Sequence, residues 1–140
     1  MHAKAYVTFK EKQGGIALVE ALIAILLFSF GILALVGLQA LMQKNVTQSK
    51  LRGEASYLAN QLIGQMWVDQ ANLANYAMAS GTCTVANYAK CTNWAASVAQ
   101  LLPIGTANVT VNGTAVRVIL TWAPPGEAPG KFEIDATITN

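Results

Sequence analysis

The sequence is poor in the side chains on which most enzymes depend. It holds one histidine, His2, so imidazole acid–base chemistry and histidine metal sites have a single residue to draw on. There are two cysteines, Cys83 and Cys91; their spacing is not a Cys-x-x-Cys motif, and no further cysteine completes a zinc site. Charged residues make up 11% of the chain, well below the quarter or so usual in soluble domains. The formal charge of +2, with its excess at Lys4, Lys10 and Lys12, is too small for a nucleic-acid surface, and no nucleic-acid partner is expected. The later acids, Glu54, Asp69, Glu127, Glu133 and Asp135, are scattered. Glu133 and Asp135 alternate with apolar neighbours, as the solvated face of a strand does. There is no glycine-rich phosphate loop and no nucleophile motif. The expectation is a protein that is not an enzyme and uses no cofactor and no metal.

What the chain has in excess is apolar surface, with 54% hydrophobic residues. Ile16 to Leu38 reads IALVEALIAILLFSFGILALVGL, interrupted only by Glu20 and Ser29. A helix of that length crosses a bilayer, whereas a cleaved secretory signal has an apolar region of roughly 7 to 15 residues and ends at a small-x-small site. Lys4, Lys10 and Lys12 before the run face Lys44, Lys50 and Arg52 after it, so charge counting leaves the orientation open. Glu20 needs a reason, because a carboxylate inside a span costs about 2.5 to 3.5 kcal/mol on insertion scales. A cut just before Ile16 would supply one: it creates an ammonium group one helical turn away, where low polarity strengthens the attraction.

Gly15-Ile16-Ala17-Leu18-Val19-Glu20, preceded by a short basic leader, resembles the class III signal of the type IV pilin-like family. The match covers about the first forty residues. It implies cleavage between Gly15 and Ile16 by a membrane-embedded prepilin peptidase, and N-methylation of Ile16 in place of the more usual Phe or Met. A cut after Gly14 would move Glu20 out of its expected place. The resemblance also implies that Glu20 pairs with the N-terminal amine of a neighbouring subunit during assembly. The stretch Gly31 to Gln39, rich in glycine and aliphatic residues and ending in Gly-Leu-Gln, looks like that of the family's minor pilins. The implied partners are other major and minor pilins, the prepilin peptidase, an inner-membrane assembly platform, and membrane lipid before assembly. The implied location is the inner membrane, single-pass, with the head in the periplasm and later in the pilus. A minor pseudopilin of a type II secretion system carries the same motif, and a static membrane-anchored binding module is the alternative from another class. Removal of the leader would take His2 with it.

Past the apolar run, Ala55, Leu58, Ala59, Leu62, Ile63 and Met66 recur at spacings of three and four and form one stripe on a helix. With no proline before Pro103, one helix from Ile16 to about Tyr76, about 90 Å long, is the simplest reading. Asn72 to Leu102 reads as loop with a short helix near Asn93 to Leu101. Cys83 and Cys91 lie there, beyond the span, where an oxidising compartment favours a disulfide. Three runs then alternate: Val109 and Val111; Val116, Val118, Leu120 and Trp122; Phe132, Ile134, Ala136 and Ile138. Asn112-Gly113 suggests a type I′ hairpin, and the proline-rich stretch from Ala123 to Gly130 a connecting loop. Trp67, Trp94 and Trp122 are expected to anchor the core. Three Asn-x-Thr triplets, at Asn45, Asn108 and Asn112, are too common by chance to carry a function.

The expected fold is α+β and pilin-like: a long N-terminal helix, transmembrane half plus amphipathic half, packed on a small antiparallel β-meander. The divisions are a leader over residues 1–15, a membrane or filament-core helix over 16–38, its amphipathic continuation over 39–76, and a head over 77–140.

Overall fold

A computed structural model describes residues 14–139. Most of the expected leader, with His2, Lys4, Lys10 and Lys12, lies outside the described residues. The chain divides into two compact units, Met1–Met42 and Gln43–Asn140.

Helix α1, Gly14–Val68, supplies all that is described of the first unit and opens the second. In the second unit it buries Leu51, Ala55, Leu58, Ala59, Leu62 and Met66, the stripe that the spacing predicts, with Ile63 partly covered. The helix stops at Val68, short of the expected Tyr76. Asp69 leaves helical geometry (φ −124°, ψ 42°), and a 3₁₀ segment, Gln70–Tyr76, follows. The physical reason is that the Asp69 carboxylate gathers hydrogen bonds from residues well beyond the helix, a tertiary preference that helix periodicity does not carry.

The sheet has five antiparallel strands where alternation suggests three. β1 (Met78–Ala79) and β2 (Thr82–Cys83) precede α2 (Ala89–Leu101), and β3 (Thr106–Asn112), β4 (Ala115–Trp122) and β5 (Gly130–Thr137) follow it. The order across the sheet is β2-β1-β3-β4-β5. The two added strands are two residues each, too short to show any period. Their connecting residues, Ser80 and Gly81, both take positive φ, 48° and 79°, as a type I′ turn requires. The Asn108 side chain accepts a 2.7 Å hydrogen bond from the Ser80 amide, which gives that asparagine a structural task.

The β3–β4 turn sits one residue later than the Asn-Gly signal suggests. Asn112 pairs with Ala115, so the turn residues are Gly113 and Thr114, and of these only Gly113 has positive φ (62°). That is the pattern of a type II′ turn with glycine first, in place of the expected type I′.

One core joins the α1 stripe, α2 and the inner sheet face. α2 contributes Cys91, Trp94 and Val98, and the Trp94 indole donates a 2.9 Å hydrogen bond to the Leu58 carbonyl of α1. β3 and β4 contribute Ala107, Val109, Val116, Val118, Leu120 and Trp122; Phe132 and Ile134 of the edge strand β5 are half-buried. Trp94 and Trp122 therefore anchor the core as expected. Trp67 does not: it remains 43% exposed. It sits one position past Met66, which holds the buried stripe, so its ring points off that face.

Candidate functional site

The first unit is built from the residue types least suited to water. From Ile16 to Met42 every large apolar side chain is exposed, Ile16 by 76%, and α1 is the one helix among the described residues long and apolar enough to cross a membrane. A helix apolar on all sides has no face to turn toward a head, and must be covered by lipid or by other apolar helices. Its few polar groups are placed accordingly. The Ser29 hydroxyl donates a 2.7 Å hydrogen bond to the Ile25 carbonyl one turn back, which satisfies it within the helix itself. Glu20 is the sole charged residue between Gly14 and Gln43, and it is exposed.

Gly15, Ile16 and Glu20 occupy the first described turns of α1. Gly15 has open space around it, with nothing within 4 Å of where a Cβ would stand. Ile16 and Glu20 are four residues apart, so they share a helix face with a rise of about 6 Å between them. The structure thus brings the three residues singled out from the sequence onto one short, accessible stretch of helix.

Cys83 and Cys91 belong to the second unit and are joined in a disulfide, with Cα atoms 6.2 Å apart. The bridge ties β2 to the start of α2. Beside it lies a cluster that the sequence did not announce. Asp69 accepts hydrogen bonds from Lys90 Nζ (2.7 Å), Asn72 Nδ2 (2.8 Å), Tyr76 Oη (2.9 Å) and the Tyr88 hydroxyl. The Lys90 ammonium first, then the Tyr88 hydroxyl and the Asn72 amide, hold the Asp69 carboxyl well below the usual carboxylate range. Burial, followed by its neighbours Tyr88 and Asp69, pushes the Tyr76 hydroxyl well above the usual phenol range. Tyr76 and Tyr88 meet edge to face, with ring centroids 5.1 Å apart. The cluster is a fastening: it joins the end of α1, the 3₁₀ segment and the first turn of α2. No signal of period or motif could have found it, because its members are spread from Asp69 to Lys90 over short elements with no sustained period.

On the outer sheet face Arg117 lies between Asp135 (2.6 Å) and Glu133 (3.5 Å), and Lys131 pairs with Glu133 (2.7 Å). The expected solvated strand face is therefore a ladder of compensated charges. Among the described residues, no group of three or more histidine, cysteine, aspartate or glutamate side chains gathers in a way that could hold a metal ion.

These features define a class: an α+β head on a helix that continues as an apolar segment long enough to span a membrane, with one acid near its start. Comparison of the chain with family models, with characterised proteins and with solved structures finds no significant match in any of the three.

Proposed function

We propose that the chain is a minor pilin of a type IV pilus, of the PilV kind. It is held in the inner membrane by α1 with its head in the periplasm, cut between Gly15 and Ile16, N-methylated on Ile16, and drawn into the filament beside other pilins. The observation that carries this reading is the lone Glu20, one turn from Ile16 and the one charged residue in the apolar stretch of α1 that ends at Met42. In lipid that carboxylate is costly, and the amine released at Ile16 of a neighbouring subunit would compensate it. A bundle of like helices also covers the apolar surface that the first unit leaves bare. The role is structural, in assembly or its initiation, and involves no reaction at the head.

Sequencing the N-terminus of the mature protein tests the cut: the reading expects N-methylated Ile16, and recovery of the chain with residues 1–15 attached would overturn it. Glu20→Val is expected to leave the protein in the membrane but to remove it from sheared pili. Wild-type protein found with a secretion apparatus and never in pili would instead assign it to a pseudopilus.

A further inference from the structure

Two residues beyond Met42, where the exposed apolar stretch ends, the chain reaches Lys44, the first of three cations in quick succession. Lys44, Gln48 and Arg52 are spaced by four and lie along one side of α1. They line a groove of ≈ 420 Å³ whose other wall is the loop from Gly126 to Pro129 and Gly130 at the start of β5. Gln48 fixes that wall, donating from Nε2 to Glu127 Oε2 (2.9 Å) and to the Ala128 carbonyl (3.1 Å) and accepting from the Trp122 indole (3.4 Å). Neither cation is neutralised: the ion pairs among the described residues use Lys90, Arg117 and Lys131. Glu127, the one acid in the groove, is engaged by Gln48, so two cations stand against one carboxylate.

We propose that this groove binds the phosphate of an anionic phospholipid head group while the chain is in the membrane. The proposal rests on reading the apolar stretch of α1 as a membrane span. Whatever the angle between the two units, two residues of chain hold the Lys44 backbone within about 8 Å of Met42. Side chains on a helix lean toward its N-terminus, so Lys44 and Arg52 both lean toward the Gln43 end of the helix in this unit. A guanidinium matches two phosphate oxygens, and an ammonium adds a mobile point charge. The volume falls within the range of roughly 300 to 1,000 Å³ usual for small-molecule sites. Cations immediately past a span are otherwise disfavoured on the translocated side, and a lipid phosphate gives Lys44 and Arg52 a reason to be there.

The test uses the full chain in phosphatidylcholine nanodiscs, with insertion confirmed by co-elution. The same protein in detergent is then titrated with short-chain phosphatidylglycerol, short-chain phosphatidylcholine or inorganic phosphate, read by tryptophan fluorescence, since Trp122 touches the groove through Gln48. Saturable binding of phosphatidylglycerol is expected, with at least tenfold weaker binding of the other two. Lys44→Gln with Arg52→Gln should lower that affinity at least tenfold with an unchanged circular dichroism spectrum, and Lys50→Gln, outside the groove, should leave it alone. Equal affinity for phosphatidylcholine or free phosphate, an unaffected double variant, or an equal loss in Lys50→Gln would each overturn the proposal. Failure of the wild type to enter nanodiscs would remove the membrane reading beneath it.

Discussion

Gly130 faces Trp122 across the β4–β5 ladder, and a Cβ at that position would fall inside the van der Waals envelope of the indole ring. Trp122 is 1% exposed, and its Nε1, on the edge that faces Gly130, is held by Gln48, so the ring has little room to yield. Gly130→Ala is therefore expected to destabilise the head by about 1 to 3 kcal/mol, the usual cost of overpacking a filled core. A urea melt of the variant checks this, and an unchanged midpoint would show that the indole can turn aside. In the sequence Gly130 is merely the end of a proline-rich loop, because nothing local marks which aromatic ring lies above it. Gln48 is similarly silent: it reads as a polar residue showing that the helix has left lipid, yet it joins α1 to the loop that closes the groove. Gly15, Ile16 and Glu20 draw attention for the opposite reason, since an acid in a long apolar run stands out whatever the rest of the chain does.

Among the elements, those with a sustained period were legible and those held by single polar contacts were not. The α1 stripe and the three strands β3, β4 and β5 follow from spacing, because one buried face imposes its period on many residues in succession. The end of α1 and the strands β1 and β2 depend on Asp69, on the Ser80-Gly81 turn and on the disulfide, and none of these repeats. The Asp69 fastening has a pH signature with a fixed sign. Its carboxyl is depressed in the folded state by Lys90, Tyr88, Asn72 and Tyr76, so its contribution is complete above the ordinary carboxylate value, about pH 4, and is lost as pH falls below it. The Tyr76 hydroxyl is raised, so its contribution is complete below about pH 10 and lost as pH rises beyond. Urea midpoints measured across pH should therefore fall at both extremes. Asp69→Asn should be less stable than wild type at neutral pH, and the gap should narrow below pH 4. Asp135, depressed by Arg117, titrates in both proteins and cancels from the comparison. Parallel curves for the two proteins down to low pH would show that the carboxylate is not the group that fastens the segment.

At the scale of the whole molecule, the two units make opposite demands on their surroundings. Among the described residues every buried core side chain lies at or beyond Leu51, so the second unit holds their whole core, the sheet, α2 and the Cys83–Cys91 bridge. The stretch from Ile16 to Met42 contributes no side chain to that core and leaves all its large apolar groups uncovered. A chain beginning at Gln43 is accordingly expected to be soluble and monomeric, and to unfold cooperatively once its disulfide has formed. Restoring residues 16–42 should make the protein dependent on detergent or lipid while changing the stability of the head by no more than about 0.5 kcal/mol, the scale of changes that touch no core contact. Size-exclusion chromatography of the shorter chain and denaturant melts of both forms make the comparison. A shorter chain that aggregates, or melts far below the full chain in detergent, would mean that the apolar stretch supports the head's fold. A soluble, equally stable head would instead leave that stretch free to lie in lipid or among other apolar helices, as the proposed passage from membrane to filament requires.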